Sequence, residues 1–536
     1  MIAEREEAKL QREAEQKNQK EETNPLDALM EQHEEYQKRK AHPSLHWKSN
    51  PPIQNQNNNS SDYYAKRRKR HQDLHPSTRI KSLYQLCIDY LVSNFDHVDS
   101  LGPIETTIRN KIAEQLVGKG KFNGAAFEAL IEPGMSTLEI IDGANVTQDQ
   151  LCLAFSKLLP FGLERICLHH AGRCLGKQAI EKLLSYPSSQ LMALSIAGAY
   201  TLHDESIAKI IQVFHSTLSS LEFRACPNVG HQFCASIATY FSSPHHGRLL
   251  ELSLQDLKLS PESLQQLSKS DSLIHLRSLT LQNITNLSDD VFYSILQATC
   301  TSTKSKSNPK HDTSTNNDEI LGYQLQGLDL NNNPNLSDNI LSHIRTLNLS
   351  HTLQSLELEN IPNLTREGLE AFFTYDIPGI PKPPCLKRLN LGNNAYQVVN
   401  DNVVKLAAKA SSLKLNLNDD DDNDFTHHLS SLGGFVYLNL CGASITDDTL
   451  EILATTCSTS LQELNLSFCP YISDKGMGYM IVEIQDQFTK VHVWGCAQLT
   501  EELWDGHDRV FHNEKGRECL DITGVWMKKS GGSSVR

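Results

Sequence analysis

From about Met135 onward, short bursts of L-x-L alternation are each followed by an amphipathic stretch with a three-to-four-residue period. The full unit reads L-x-x-L-x-L-x-x-(N/C/apolar), a short loop, (L/I)-(S/T)-(D/E), then the amphipathic stretch. Clear copies begin at Leu276, Leu325, Leu353 and Leu461. The central leucine-type position falls at Leu138, Ile166, Leu194, Leu221, Leu252, Leu279, Leu328, Leu356, Leu389, Leu415, Leu438, Leu464 and Val491. Neighbouring copies lie 23 to 33 residues apart, except for one interval of 49. The period of two predicts a strand with its leucines pointing to one side, and the longer period predicts a helix.

Self-similarity at this spacing predicts an α/β leucine-rich-repeat solenoid of about thirteen repeats over residues 135–505. Its strands pair in parallel on the concave side, and its helices cover the convex side. Three residues after the second strand leucine stands Cys226, Asn333, Asn394, Cys469 or Cys496, a small or hydrogen-bonding residue where the chain leaves the sheet. The Ser or Thr of Ser288-Asp289, Ser337-Asp338, Thr446-Asp447 and Ser473-Asp474 is placed to cap the next helix, and Ser260-Pro261 reads as a helix start. The 49-residue interval implies a polar loop over 299–319. The aspartates of 419–422 lack the alternating ligand order and central glycine of a calcium loop and read as a solvated turn. Residues 506–536 read as a C-terminal cap and flexible tail.

Residues 79–134 are neither repetitive nor low in complexity. Leu83, Leu86, Cys87, Tyr90 and Leu91 recur at the spacing of one helix face. Further helices are predicted from Pro103 to Val117 and from Gly124 to Ile131. A solenoid needs such a segment to close its first repeat. Residues 1–78 are polar and charged with almost no apolar stripe, and read as a disordered tail. Within it, Lys66, Arg67, Arg68, Lys69 and Arg70 form five consecutive bases, a pattern suited to an acidic import receptor.

Charge narrows the partners. The net charge is −14, and residues 1–80 hold fifteen basic against thirteen acidic side chains, so the remainder is more acidic still. An acidic body argues against a phosphate-binding track and leaves protein partners open. No run of 18 apolar residues is present, which argues against a membrane span. The charged N-terminus is unlike a secretory signal. Thirteen cysteines without such a signal read as reduced thiols. No catalytic motif stands out, and Gly118-Lys119-Gly120-Lys121 reads as an exposed turn. The pairs His169-His170, His245-His246 and His427-His428 lack partners at ligand spacing, so neither a metal nor a cofactor is expected. The strand residues beside the leucines, among them Arg224, Glu251, Asp329, Glu357, Arg388, Tyr437, Lys490, His492 and Trp494, are expected to line the concave face. They mix both charges with aromatic anchors, a composition that fits a protein substrate.

The repeats resemble the cysteine-containing leucine-rich-repeat family of F-box-like ubiquitin-ligase receptors. Ser82-Leu83-Tyr84-Gln85-Leu86-Cys87-Ile88-Asp89-Tyr90-Leu91 resembles an elongin-binding box, (S/T/P)-L-x-x-x-C-x-x-x-(A/I/L/V), at every fixed position. The F-box Leu-Pro opening and a full cullin-selecting motif are not visible. The order of basic tail, box, further helices and cysteine-type repeats is similar to the leucine-rich-repeat subunit of the nuclear global-genome nucleotide-excision-repair complex. These resemblances imply a non-enzymatic substrate receptor, nuclear and secondarily cytoplasmic. Its implied partners are elongin C or a Skp-type adapter, a cullin, and a Snf2-type ATPase with a RING finger. A repeat scaffold with no ligase link is the alternative. A GTPase activator fits poorly, because such proteins have more regular repeats and terminal acid.

Overall fold

The computed structural model describes residues 82–242, 248–269, 271–300, 325–347, 349, 352–375, 379–412, 433–484, 487–500, 503 and 520–524. The tail 1–78 with its basic cluster, residues 301–319 of the predicted loop, and the acidic run 419–422 lie outside them. So do His245, His246, His427 and His428.

The described residues form one all-parallel sheet of thirteen strands in strict sequence order. The strands are β1 (Thr137–Ile140), β2 (Arg165–Leu168), β3 (Ala193–Ala197), β4 (Ser220–Arg224), β5 (Glu251–Gln255), β6 (Ser278–Gln282), β7 (Gly327–Asp329), β8 (Ser355–Glu357), β9 (Arg388–Asn390), β10 (Tyr437–Asn439), β11 (Glu463–Asn465), β12 (Lys490–His492) and β13 (Asp521–Thr523). Among the described residues, three helices precede the sheet: α1 (Leu83–Ser93), α2 (Thr106–Gly118) and α3 (Gly124–Leu130). One helix then follows each of the first twelve strands except β12: α4 (Gln148–Leu158), α5 (Lys177–Leu184), α6 (Asp204–Phe214), α7 (His231–Tyr240), α8 (Pro261–Ser268), α9 (Asp289–Cys300), α10 (Asn339–Thr346), α11 (Arg366–Phe373), α12 (Asp401–Ser412), α13 (Asp447–Thr456) and α14 (Asp474–Glu483).

Central leucines stand opposite one another from strand to strand, as in Leu194↔Leu221 and Leu328↔Leu356. Both leucine-type positions of β1 to β12 are buried in one continuous core with the inner faces of the helices, and Ile522 of β13 packs partly buried against it. Burying one such side chain contributes about 1.5–3 kcal/mol, and a repeat can do so only by stacking on its neighbours.

Three side-chain ladders explain the polar positions of the repeat. The Asn/Cys position bonds back to the preceding repeat. Asn333 donates to Leu281 O and Leu330 O at 2.6 and 2.7 Å and accepts from Ile284 N at 2.8 Å. Asn394 repeats the pattern with Leu358 O, Leu391 O and Ile361 N. The Cys469 thiol points to Leu440 O at 3.1 Å, and Cys496 to Leu466 O at 3.0 Å. Burial pushes the Cys469 thiol up to about 12, so it stays protonated and able to donate.

The second ladder runs along the helix starts. Ser260, Thr446 and Ser473 cap their own helices as expected, Thr365 does so as well, and α10 instead has Asp338 at its cap position with no side-chain cap bond. The aspartate that follows reaches the next repeat: Asp447 accepts from Ser473 N and Oγ at 2.8 and 2.6 Å, and Asp338 accepts from Thr365 N and Oγ1 at 2.8 and 2.5 Å. The third is conformational. The residue four positions after the central leucine is left-handed in repeat after repeat, with φ of +60° at Asn332, +54° at Asn360 and +77° at Gly442. Asparagine and glycine suit this position because they enter that region at low cost.

Three expectations need correcting. Arg388–Asn390 pairs directly with Tyr437–Asn439, where a strand centred on Leu415, which lies outside the described residues, was expected between them. The thirteenth strand is instead Asp521–Thr523, in register with Lys490–His492, within the segment read as cap and tail. The predicted loop at 299 also begins too early: Thr299 is buried in α9 and its hydroxyl bonds Leu296 O at 2.7 Å.

Replacing Asn333 with alanine removes a buried amide and strands a neighbouring N–H and two carbonyls. We expect a loss of about 2–4 kcal/mol, read as a lowered denaturant midpoint. Asn360→Gly, at a left-handed position, should change the midpoint by under about 0.5 kcal/mol.

Candidate functional site

Two surfaces hold the residues singled out from the sequence. The first is α1. Ser82 caps it by accepting from Gln85 N. Ile88 and Val92 are buried, and Phe95 just beyond the helix is buried with them. The opposite face is apolar as well, yet it is uncovered: Leu83 is 77% exposed and Tyr90 75%, with Tyr84 and Leu86 about half exposed. Cys87 lies among them as a free, exposed cysteine. Leu91 departs from expectation. It is partly buried against the core, because it lies beside Ile88 and Val92 on the inward side. The apolar residues of α1 therefore form two stripes, one seated on the cap and one turned to solvent.

The second surface is the row of strand side chains on the side away from the helices. In register, Asp329, Glu357, Asn390, Asn439, Asn465, His492 and Thr523 occupy one column of adjacent strands. The column beside it carries Arg388, Tyr437, Glu463 and Lys490. Arg224 and Glu251 lie exposed toward the N-terminal end, with Glu251 accepting from Ser220 Oγ at 2.8 Å.

The two ends of this surface differ chemically. Toward the middle the carboxylates crowd. Burial pushes the Asp329 carboxyl up, and the Glu359 charge adds to it. Burial likewise raises Glu357, helped by Asp329 and opposed by a bond from Asn390. Toward the C-terminal end the charges pair. The Arg388 guanidinium stacks 4.4 Å from the Tyr437 ring centroid. Glu463 accepts from Lys490 Nζ at 2.8 Å and lies 3.3 Å from His492 Nε2. Although burial opposes it, these bonds hold Glu463 below the usual carboxylate range. His492 Nδ1 lies 2.6 Å from Thr523 Oγ1. Trp494 is half-buried, and the backbone of Gly524 packs so closely on it that any β-carbon there would overlap the indole.

A group of aromatics went unnoticed in the sequence. Tyr396 and Tyr471 are exposed, with their hydroxyls 2.7 Å apart. Phe468 is 62% exposed and left-handed at φ +60°, where seven other repeats place asparagine or glycine and three place His170, Ala225 or Asp256. The available signal was an aromatic residue four positions after Leu464, at the turn of the repeat. A bulky side chain there is strained. Among the described residues, no group of three or more His, Cys, Asp and Glu converges as a metal site, and no helix is long and apolar enough to cross a membrane. Lys66, Arg67, Arg68, Lys69 and Arg70 lie outside the described residues.

No protein-family model matches the chain, and no curated protein matches it in sequence. In structure, the chain is similar to one from a crystal structure of a Rad7 and Elc1 complex in yeast. The TM-score is 0.54 at 15% identity, covering 87% of this chain and 96% of that one. A second likeness is to a chain from an octameric complex of Latrophilin 3, Unc5D and the leucine-rich repeats of FLRT2. Its TM-score is 0.28 at 12% identity, over 69% of this chain and 90% of that one. The first likeness establishes a shared repeat fold.

The crowded carboxylates set a pH dependence. Asp329 and Glu357 have raised values in the folded protein, so the native state holds protons that the unfolded chain releases. Stability is lost as pH rises from the unfolded value through the folded one. Glu357→Gln should therefore raise the melting temperature at pH 7, by about 1–3 °C, and give less gain at pH 4. Phe468→Asn should relieve strain and stabilise the C-terminal repeats by about 1 kcal/mol, seen as slower hydrogen exchange in β11 and β12.

Proposed function

We propose that this protein is a non-catalytic substrate receptor of a cullin/RING-type ubiquitin ligase. The uncovered stripe of α1 docks an elongin C-type adapter, and the strand face holds a protein substrate. One observation carries this reading: a helix already seated on its cap through Ile88 and Val92 presents Leu83, Leu86, Cys87 and Tyr90 to solvent at the spacing of an adapter-binding box. A helix lying in a partner's groove uses such anchors at i, i+3, i+4 and i+7. The likeness in fold to a Rad7 chain solved with Elc1 supports the same reading.

In this scheme the protein makes and breaks no bond. It raises the effective concentration of substrate lysines beside a ubiquitin-charged enzyme held by the rest of the ligase. The mixed lining of the strand face suits a folded protein substrate, with Arg388, Tyr437 and Trp494 as its larger side chains. The cysteine-type repeats and basic cluster favour a nuclear location and a place in nucleotide-excision repair, with a cullin and a Snf2-type RING ATPase as further partners. A plain repeat scaffold leaves the exposed stripe of α1 without a use.

The decisive experiment is a pull-down of elongin C and of a Skp-type adapter with the full chain and a Leu83→Asp, Cys87→Lys variant. Both substituted side chains are exposed, so the fold should persist, as checked by circular dichroism. We expect elongin C to bind the wild type and to bind the variant at least about 100-fold more weakly, since a hot-spot anchor carries several kcal/mol. If the wild type captures neither adapter, the receptor reading is wrong.

A further inference from the structure

Residues 82–134 do more than cover the first repeat. Arg109 of α2 is buried, and its guanidinium donates to Leu130 O at the end of α3 at 2.5 Å and to Gly102 O at 3.0 Å. No carboxylate bonds it among the described residues; its hydrogen-bond partners are both backbone carbonyls. Lys121, in the loop after α2, donates from Nζ to Ser93 O, the last residue of α1, at 2.6 Å. It also lies 3.6 Å from Asp96. Two cations thus hold chain ends on either side of α2. The bracket is tied to the repeats by Asn110 Nδ2 to Glu139 Oε2 at 2.6 Å and by Gln150 Nε2 to Glu128 Oε1 at 2.9 Å. Glu139 is itself a strand residue of β1, so the tie reaches the face on which a substrate would sit.

A buried guanidinium hydrogen-bonded only by carbonyls, with the Glu132 charge favouring its cation and burial opposing it, is a costly way to fill space. A well-packed apolar side chain of similar length is often as stabilising or more so. What Arg109 adds is direction: a planar fork bonding two carbonyls at once fixes the angle between the segments that carry them. Lys121 does the same for the end of α1, where helix carbonyls have no intrahelical partner.

We propose that Arg109 and Lys121 are positioning residues that fix the orientation of α1 relative to the strand face, and so determine where a docked adapter points. This deepens the receptor reading and rests on it. Under that reading, the clamp decides which substrate lysines come within reach of the ligase, while the exposed stripe of α1 decides how tightly the adapter binds.

The test uses the full chain with spin labels carried on non-canonical side chains at Gln85 of α1 and Lys177 of α5, both exposed. Pulsed dipolar spectroscopy reads the width of the distance distribution, and elongin C affinity is measured in parallel. In Lys121→Gln and Arg109→Met we expect the width to grow about twofold while the elongin C Kd stays within about threefold of wild type. Arg109→Lys, which reaches one carbonyl, should fall between. Should Arg109→Met fail to fold, the half-buried Lys121 variant decides. Unchanged widths overturn the proposal, and so does a broadened variant that has lost elongin C while still folded. If the wild type itself ignores elongin C, the receptor reading falls, yet the widths still report on the clamp.

Discussion

Each repeat has leucines that only its neighbours can cover, and every other feature of the molecule follows from that constraint. Adjacent strands lie about 4.8 Å apart, while packed helices need about 8–10 Å. An array that satisfies both must curve, with the tighter layer inside. The same arrangement frees half of the strand side chains from packing, because alternate residues point away from the core. Leu328 and Leu356 are wholly buried, whereas Asp329 and Glu357 beside them face outward in register. Core and outward-facing surface are therefore built from the same thirteen short strands.

The polar residues of the repeat divide between two tasks. Asn333, Cys226 and Cys469, all buried, and the half-buried Asn394 serve the backbone, accounting for carbonyls that the leucines' own packing leaves without partners. Asp338 and Asp447 couple helix starts between repeats. In the outward column Asp329, Asn390, Asn439 and Asn465 also accept from the backbone N–H two residues on, while the chemistry of the other outward side chains varies along the array. Acids crowd at Asp329, Glu357 and Glu359, while ions pair at Glu463, Lys490 and His492. Phe468 breaks the division: it occupies a backbone position that favours asparagine or glycine and exposes an aromatic ring instead.

Much of this was legible in the sequence, because a repeat states its own packing many times over. Twelve of the thirteen strand centres, the Ser and Thr caps and the role of the Asn/Cys position follow from local pattern. Failures came where a local pattern had to be checked against a distant partner. Leu413-Lys414-Leu415-Asn416-Leu417 is a sound alternation that lies outside the described residues, yet Val436 N and Tyr437 N take the carbonyl of Lys387 and join β9 directly to β10. Ile522 has only a weak burst around it, Leu520-Asp521-Ile522, but it continues the register of Val491. The reach of Asp447 to Ser473 was also out of view, since a cap motif shows its own helix and conceals the next one.

On α1 the difficulty was of another kind. Periodicity finds apolar positions on a helix but cannot say which of two apolar stripes meets the core. Leu83, Leu86, Cys87 and Tyr90 form one stripe, and Ile88, Leu91 and Val92 the other. Capping the first repeat uses only the second. A helix serving solely as a cap would gain solubility from charged residues on its outer face, as α5 does with Lys177 and Glu181. The outer face of α1 has large apolar side chains where charges would cost nothing. An uncovered apolar patch at the end of an open array invites association, so its retention is best explained by a partner that covers it. Under the receptor reading proposed above, seating through one stripe and docking through the other would be a single device: the core holds the helix still so that its free face can be met.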